Sequence, residues 1–482
     1  MNTTIKVAIG KRLGLLITFS MLACGSASAL TLKEAMAVAV ESNPEIGQAI
    51  ENREAIEFEL RQAKGLYLPS IDLEASAGAR RLDNSSRRAL SIENDGLYPA
   101  EAGVVISQTL YDSGARRAEL NHQASRVDGA SFRVLERSEF IGLSVVQDYL
   151  EYMLQASIVS EAKKNLGFHQ GILGDIRQGI AGGALNDADG QQAQERLLAA
   201  KARLQEASEE LEQAKIRFFK TVGKPLTNAS RPGSVGGALP RSLDEALGLA
   251  RENNPRVHMA NSDIDAAASL VDAARAKFGP AIVAEGRARA GYDVDGDDGD
   301  ASDLQARLVL RWNLYRGGID KANEQEQIRR TSEQRLGLHQ VLREIEEAVR
   351  TSWDRRFRQA DLAKTLRLQA SESAKLVVSY REQFKVGQRS LLDVLDAQNT
   401  RFNTATLADT ASYASLFAEY RLLAATGQLL KTMNLQPAKQ AAAYARTEFA
   451  TPETADTETY ARTPSEQKND LPFDILAPVR KK

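Results

Sequence analysis

Apolar and polar positions along this chain follow two different periods, and the period changes at prolines. In IDLEASAGAR (71–80), Ile71, Leu73, Ala75, Ala77 and Ala79 alternate with Asp72, Glu74, Ser76 and Gly78, the period of two that marks a strand with one apolar face. The pattern returns after Pro280, where Ile282, Ala284, Gly286, Ala288 and Ala290 alternate with Glu285, Arg287 and Arg289. In DLQARLVLRW, Leu304, Ala306, Leu308, Leu310 and Trp312 oppose Asp303, Gln305, Arg307 and Arg311. Strands are expected at about 68–80, 101–111, 280–291 and 302–312. Aromatic residues stand near their ends, Tyr67, Tyr111, Phe278, Trp312 and Tyr315 at one and Tyr98 and Tyr292 at the other. That is the dress of a bilayer-spanning barrel strand, although a half-buried hairpin of a soluble protein alternates in the same way.

Between the strand pairs the period is helical and the stretches are long. No proline interrupts 114–178 or 318–385, and at about 1.5 Å per residue each makes a rod about 100 Å long, too long for a compact domain. Each is followed by a turn, GIAGGALND or KVGQRSLLD, and by a returning helix over 187–222 or 391–430. Leu392, Leu395, Phe402, Leu407, Leu416 and Leu423 recur at threes and fours, which predicts antiparallel helix pairing.

The chain is its own best comparison. TLKEAMAVAVESNPEI (31–46) matches SLDEALGLARENNPRV (242–257), with an offset of 255 − 44 = 211 that persists to Pro69 and Pro280. TLYDSGARRAE is echoed by NLYRGGIDKANE at 315 − 111 = 204, and Asp187 and Gln192 align with Asp393 and Gln398. In that last register Ala181 stands where Gly387 sits. A unit of about 200 residues is a duplicated domain rather than a solenoid repeat. The expected organisation is a signal peptide at 1–29, repeats at 30–228 and 229–435, and a polar, disordered tail at 436–482.

Composition narrows the class. The 482 residues are 43% hydrophobic and 26% charged, as in an ordered protein, and a formal net charge of −2 gives no basic footprint for nucleic acid. Lys6, Lys11 and Arg12, the run LGLLITFSML and Ala27-Ser28-Ala29 form a secretory signal. The only cysteine, Cys24, lies inside it. Lipidation at Cys24 is a rival reading, weakened by Met21 where a lipoprotein signal carries a leucine and by Leu22 where it carries a small residue. Beyond the signal no run of about 18 apolar residues occurs, so any membrane crossing uses strands. Four strands cannot close a barrel, and open edges are not tolerated in lipid, so the chain is expected to oligomerise.

With these residues in view, the chain resembles the TolC-like outer membrane channels over about 30–430. The likeness rests on Asn-Pro after the first helix of each repeat, proline before each outgoing strand, LYDSG and LYRGG, and above all GQRSLLDVLDAQN. The resemblance implies a mainly α fold with a transmembrane β-barrel contribution. It further implies a homotrimer with a twelve-strand barrel in outer membrane lipid and a twelve-helix barrel in the periplasm. Such ducts serve type I protein secretion, or drug or metal efflux, coupled to an inner-membrane ABC or proton-driven transporter through a periplasmic adaptor. They are not enzymes and carry no cofactor. A structural coiled-coil protein of the envelope would explain the rods but not the alternating strands.

The same likeness assigns the candidate site. Asp393 and Asp396 are three apart, hence on one helix face. By themselves they admit either a wet face or the border of a passage, and the full motif makes them acidic rings at the narrowest point. Arg389 corresponds to an arginine that holds the tip closed by linking to the first-repeat turn, here Asn186 and Asp187. Other candidates are weak. YDVDGDDGDASD (292–303) crowds five Asp into eight positions but has Asp298 where a calcium loop turns on glycine, so it reads as a solvated outer loop. His122, His169, His258 and His339 show no metal-ligand spacing, and no phosphate-binding GxxxxGK[ST] occurs. Mass spectrometry of the mature protein is expected to find an N-terminus at Leu30 without an acyl group. A diacylated Cys24 would overturn the processing assignment.

Overall fold

A computed structural model describes residues 30–226, 229–296 and 298–454; the expected signal peptide and the tail beyond 454 lie outside the described residues. In chain order the helices are α1 (Leu32–Ser42), α2 (Pro44–Gly65), α3 (Ser85–Ala89), α4 (Ala115–Ala181), α5 (Asp187–Val222), α6 (Leu243–Asn253), α7 (Pro255–Ala276), α8 (Ile319–Lys385), α9 (Leu391–Ala425), α10 (Leu429–Thr432) and α11 (Ala445–Glu448). The strands are β1 (Ser70–Ala77), β2 (Arg80–Arg81), β3 (Gly96–Leu97), β4 (Ala100–Tyr111), β5 (Ala281–Tyr292) and β6 (Asp300–Arg311).

The duplication is stricter in three dimensions than in the sequence. Both long helices have 67 residues, which gives rods about 100 Å long, and their starts differ by 319 − 115 = 204. They are the spine of a single layer of helices. Toward the tip the packing order is α5, α4, α9, α8, and toward the sheet it is α2, α4, α7, α8. The α4–α5 seam is a heptad of small residues, Ala193, Ala200, Ala207 and Ala214, all buried, which lets the two backbones approach closely. In α9, Leu395, Phe402, Leu416 and Leu423 are buried as the spacing predicts, whereas Leu392 and Leu407 face outward. The helix also ends at Ala425 rather than near 430, because Gly427 turns the chain at φ 68°.

The repeated Asn-Pro has a specific task. Each asparagine caps the following helix, Asn43 accepting from Glu45 N at 2.9 Å and Asn254 from Arg256 N at 3.0 Å, and each proline takes the first helical position, where no backbone donor is needed. The two side-chain amides then donate to the ends of the returning helices, Asn43 to Thr221 O and Asn254 to Ala425 O, both at 2.9 Å. One dipeptide thus starts one helix and ties down another in each repeat. Around this level α1, the inter-repeat linker and α10 close a core of Met36, Ile46, Tyr149, Phe218, Tyr420 and Leu429.

The principal sheet is antiparallel in the order β1-β4-β5-β6. Its register sets Ile71 beside Ile106, Leu73 beside Val104, Ala288 beside Leu304 and Ala284 beside Leu308. All of these belong to one face, which is bare: Leu73 is 77% exposed, Leu304 86% and Leu308 72%. The opposite face is polar. Glu285 holds Arg307 at 2.7 Å and Arg311 at 3.0 Å, Arg289 meets Glu101 at 3.3 Å, and the hydroxyls of Ser70 and Ser107 lie 2.8 Å apart. An apolar outside and a charged inside is the barrel-wall arrangement. The sheet is open within one chain, with β1 and β6 at its edges.

Three expectations need correction. The first strand is shorter than 68–80: it ends at Ala77, and Arg80–Arg81 pairs separately with Gly96–Leu97. The outer loops are also tied together rather than simply solvated. Arg87, 3% exposed, donates to Gly296 O at 3.0 Å, Ile92 O at 2.9 Å, Asp95 O at 3.3 Å and Asp298 Oδ1 at 3.4 Å. The cations that meet the acidic loop are two arginines, Arg87 of the first hairpin on Asp298 and Arg289 of β5 on Asp295, and no metal-binding group of His, Cys, Asp or Glu is found among the described residues. The third correction concerns the expected disordered tail, whose residues 436–454 are packed. Asp128 accepts from the backbone of Tyr444, Ala445 and Arg446 at 2.9, 2.8 and 3.1 Å, capping α11. Arg446 in turn bridges buried Asp128 and Asp265 at 3.1 and 2.6 Å. Two carboxylates from α4 and α7 supply partners that a composition-based reading of the tail could not register.

Two predictions follow from burial. A charge on the lipid face of a barrel costs about 2–4 kcal/mol near the midplane, so Leu308→Arg should prevent assembly in outer membranes while Arg307→Leu assembles. Equal assembly of both variants would refute the face assignment. Second, Glu139 of α4 accepts from Leu430 N at 3.3 Å and is 7% exposed, and burial pushes its carboxyl up to about 7. The folded state therefore binds this proton more tightly than the unfolded chain. Its contribution is complete below pH 4.5 and is lost as pH rises through 7, by about 3 kcal/mol at one pKa unit per 1.4 kcal/mol. Thermal unfolding of Glu139→Gln should be less pH-dependent between pH 5 and 8, with a higher Tm than wild type at pH 8; parallel curves would contradict this.

Candidate functional site: the helical tip

At the end of the rods remote from the sheet, each long helix turns back through a short loop. Gly183 has φ 73° and Gly387 φ 72°, left-handed conformations in which a side chain is strained, and 387 − 183 = 204. The glycine of the first-repeat turn is therefore in place and not displaced, and the alignment of Asp187 with Asp393 is off by two. The correct pairs are Asn186 with Ser390 and Asp189 with Asp393. Both pairs form the same capping box. Asn186 accepts from Asp189 N at 3.0 Å, and Ser390 accepts from Asp393 N at 3.2 Å. The Asp side chains return the bond to the cap backbone N–H, both at 3.3 Å. In this register Leu185 stands where the second repeat has Arg389.

The apolar side of the α9 start is buried. Leu391, Val394 and Leu395 close on Ile172, Leu173 and Ile176 of α4 and Ala193 of α5. That packing fixes the rotation of α9 and turns Asp393 and Asp396 outward together, their side chains 42% and 61% exposed. Asp393 also accepts from Ser390 Oγ at 2.9 Å. Asp396 lies 3.7 Å from Arg196 of α5, a neighbour that nothing in the sequence singles out. The structure thus brings the two aspartates onto one face, one as a helix cap and the other beside a cation of the first repeat.

Arg389 is held within its own repeat. It donates to Gln383 Oε1 at 3.0 Å, lies 4.3 Å above the Tyr380 ring and approaches Asp393 at 3.8 Å. Among the described residues of one chain it has no hydrogen bond or ion pair to Asn186 or Asp187. Contacts that join the two repeats near the tip include, besides Arg196 with Asp396, Arg381 to Asp175 at 2.8 Å and Gln398 to Asn165 at 2.9 Å in a buried pair. Gln398 belongs to the motif, and its partner could have been sought at the same height on α4. Arg381 and Asp175 carry no pattern that distinguishes them from other surface charges.

Sheet, rods and tip together are the architecture of an outer membrane channel that extends into the periplasm. The outer membrane efflux protein family model matches residues 36–224 and 246–428, one segment in each repeat, and the chain belongs to that family. It is an outer membrane transport protein, not an enzyme. The outer membrane efflux protein BepC of Brucella suis is 22% identical over 416 residues, covering 86% of this chain and 89% of that protein. Protein CyaE of Bordetella pertussis is 26% identical over 296 residues, covering 60% and 61%. In three dimensions the CmeC outer membrane channel of Campylobacter jejuni superposes with a TM-score of 0.73 at 16% identity, covering 83% of this chain and 86% of that one.

Proposed function

We propose that three copies of this chain close into one passive duct, crossing the outer membrane as a twelve-stranded barrel and the periplasm as a twelve-helix barrel. The observation that carries this reading is that sheet and helical layer are open at both sides of the same chain. β1 and β6 leave backbone groups unpaired, which lipid does not tolerate. On the helical edges, Leu198, Ile216 and Phe219 of α5 and Phe357, Leu368 and Leu376 of α8 are exposed. A ring in which each β6 meets the next β1, and each α8 the next α5, buries both sets at once.

In such a ring Asp393 and Asp396 contribute six carboxylates to a narrow mouth. For two of them about 6 Å apart, at an effective dielectric of about 20, the repulsion is about 3 kcal/mol. The mouth therefore attracts cations and needs an external restraint to stay closed. We assign that restraint to Arg389, released from Tyr380 and Gln383 to reach the Asn186–Asp187 turn of a neighbouring copy. In planar bilayers, Asp393→Ala with Asp396→Ala should lose cation selectivity, and Arg389→Ser should raise conductance. Unchanged selectivity in the double variant would return the pair to a helix cap and a wet face.

The partners in this reading are a periplasmic adaptor and an inner-membrane ABC or proton-driven transporter, and the cargo is a polypeptide exported by type I secretion. Resemblance of the tip motif supports it. A second reading, efflux of drugs or metals, is favoured by the likeness to BepC, described as an efflux protein. Deleting the gene separates them. Loss of specific polypeptides from the medium with unchanged tolerance of toxic amphiphiles and metals supports secretion, and the reverse pattern supports efflux.

A further inference from the structure

Midway along the α8–α9 face two arginines converge on one hydroxyl. Arg231, from the linker between the repeats, places Nη2 2.6 Å from Ser412 Oγ, and Arg367 of α8 places its own Nη2 2.5 Å from the same atom. The two guanidinium nitrogens are therefore within about 5 Å of each other. Neither arginine makes an ion pair among the described residues. The acids nearby on α9 are engaged elsewhere, Asp409 with Ser157 Oγ at 2.5 Å and Glu419 with Ser234 Oγ at 2.7 Å and Val235 N at 3.0 Å. Arg231 rests on the Tyr413 ring, 4.8 Å from its centroid, which fixes the position of one of the two cations.

Ser412 itself is 7% exposed, and it accepts from both arginines, while its own hydroxyl proton meets no acceptor among the described residues. The equivalent serine of the first repeat, Ser208 (412 − 204), behaves as helix serines ordinarily do and donates to Leu204 O at 2.7 Å. Its neighbour equivalent to Arg367 is Lys163. The second repeat thus assembles two guanidinium forks and a hydroxyl donor at one point, with no acceptor that carries a negative charge.

We propose that Arg231, Arg367 and Ser412 form a receptor for one oxyanion, a phosphate-type or carboxylate group that accepts from both guanidinium forks and from the serine hydroxyl. Arginine forks match such groups through paired hydrogen bonds, and the anion neutralises two cations that otherwise repel each other.

The experiment uses the detergent-solubilised full-length protein in low-salt buffer, with inorganic phosphate and acetate as separate probes. The melting temperature of the wild type should rise saturably with the oxyanion, as expected for a ligand that binds only the folded state. Arg367→Gln and Arg231→Gln should each weaken the apparent affinity by roughly tenfold, the size of a lost charged contact, and the double variant should show no saturable rise. Saturation by phosphate alone assigns the site to tetrahedral oxyanions, and saturation by acetate also assigns it to carboxylates. Without added anion, Arg367→Gln should melt no lower than wild type, because it removes repulsion. An anion response equal in wild type and variants would overturn the proposal. So would a lower anion-free melting temperature for Arg367→Gln, which would make the arginine a structural strut.

Discussion

An unpaired backbone amide or carbonyl in hydrocarbon costs several kcal/mol, and this constraint shapes the molecule. Each chain supplies only four spanning strands, with β1 and β6 at free edges. The wall they form has one bare apolar face and one charged face. Such a wall cannot exist in lipid as an open sheet, and in the proposed ring copies of the chain complete it. The helical layer has the same number of positions at every height, four at the tip and four nearer the sheet. Two of these are occupied by the unbroken 67-residue helices and the other two by shorter ones placed end to end.

The middle of the rods, together with the joint to the sheet, is where the duplication does its mechanical work. Asn43 and Asn254 each begin one helix and pin the end of another. Ser113 of the first repeat donates to Pro280 O at the start of the second repeat's strand, at 2.8 Å. Glu139 reaches from α4 to the backbone of α10. Arg446 draws the C-terminal segment onto α4 and α7 through two buried aspartates. These are contacts between elements far apart in the chain, and they make the middle of the molecule a rigid collar from which both the sheet and the tip project.

What the sequence reveals of this follows from physics that is local. Periods of two and of 3.6 are local, so strands and rods are legible, and so are the glycines and caps at their ends. At the tip, identity pairs Asp187 with Asp393 and so gives the wrong register. The backbone turn that decides the matter is set by Gly183 and Gly387. The short first strand is not legible because alternation runs on to Ala79, while the pairing that terminates β1 comes from residues 96 and 97. The packed segment at 436–454 is hidden for a similar reason: its order comes from Asp128 and Asp265, more than 170 residues upstream. At the site, the two aspartates were legible as a spacing, but Arg196 and the resting place of Arg389 on Tyr380 depend on helix rotation, which tertiary packing sets.

Closure of the sheet edges by further copies is the central claim, and the chain is suited to a direct measurement of it. Its only cysteine, Cys24, lies in the expected signal segment, so cysteines introduced on the two edge strands report without background. Asp72→Cys on β1, combined in turn with Asp303→Cys, Gln305→Cys or Arg307→Cys on β6, samples the register across the seam. In oxidised outer membranes, at least one combination should give disulfide-linked species that stop at three chains and collapse to monomer on reduction. Cross-linking that stops at two chains, continues past three, or fails in every combination would contradict the ring.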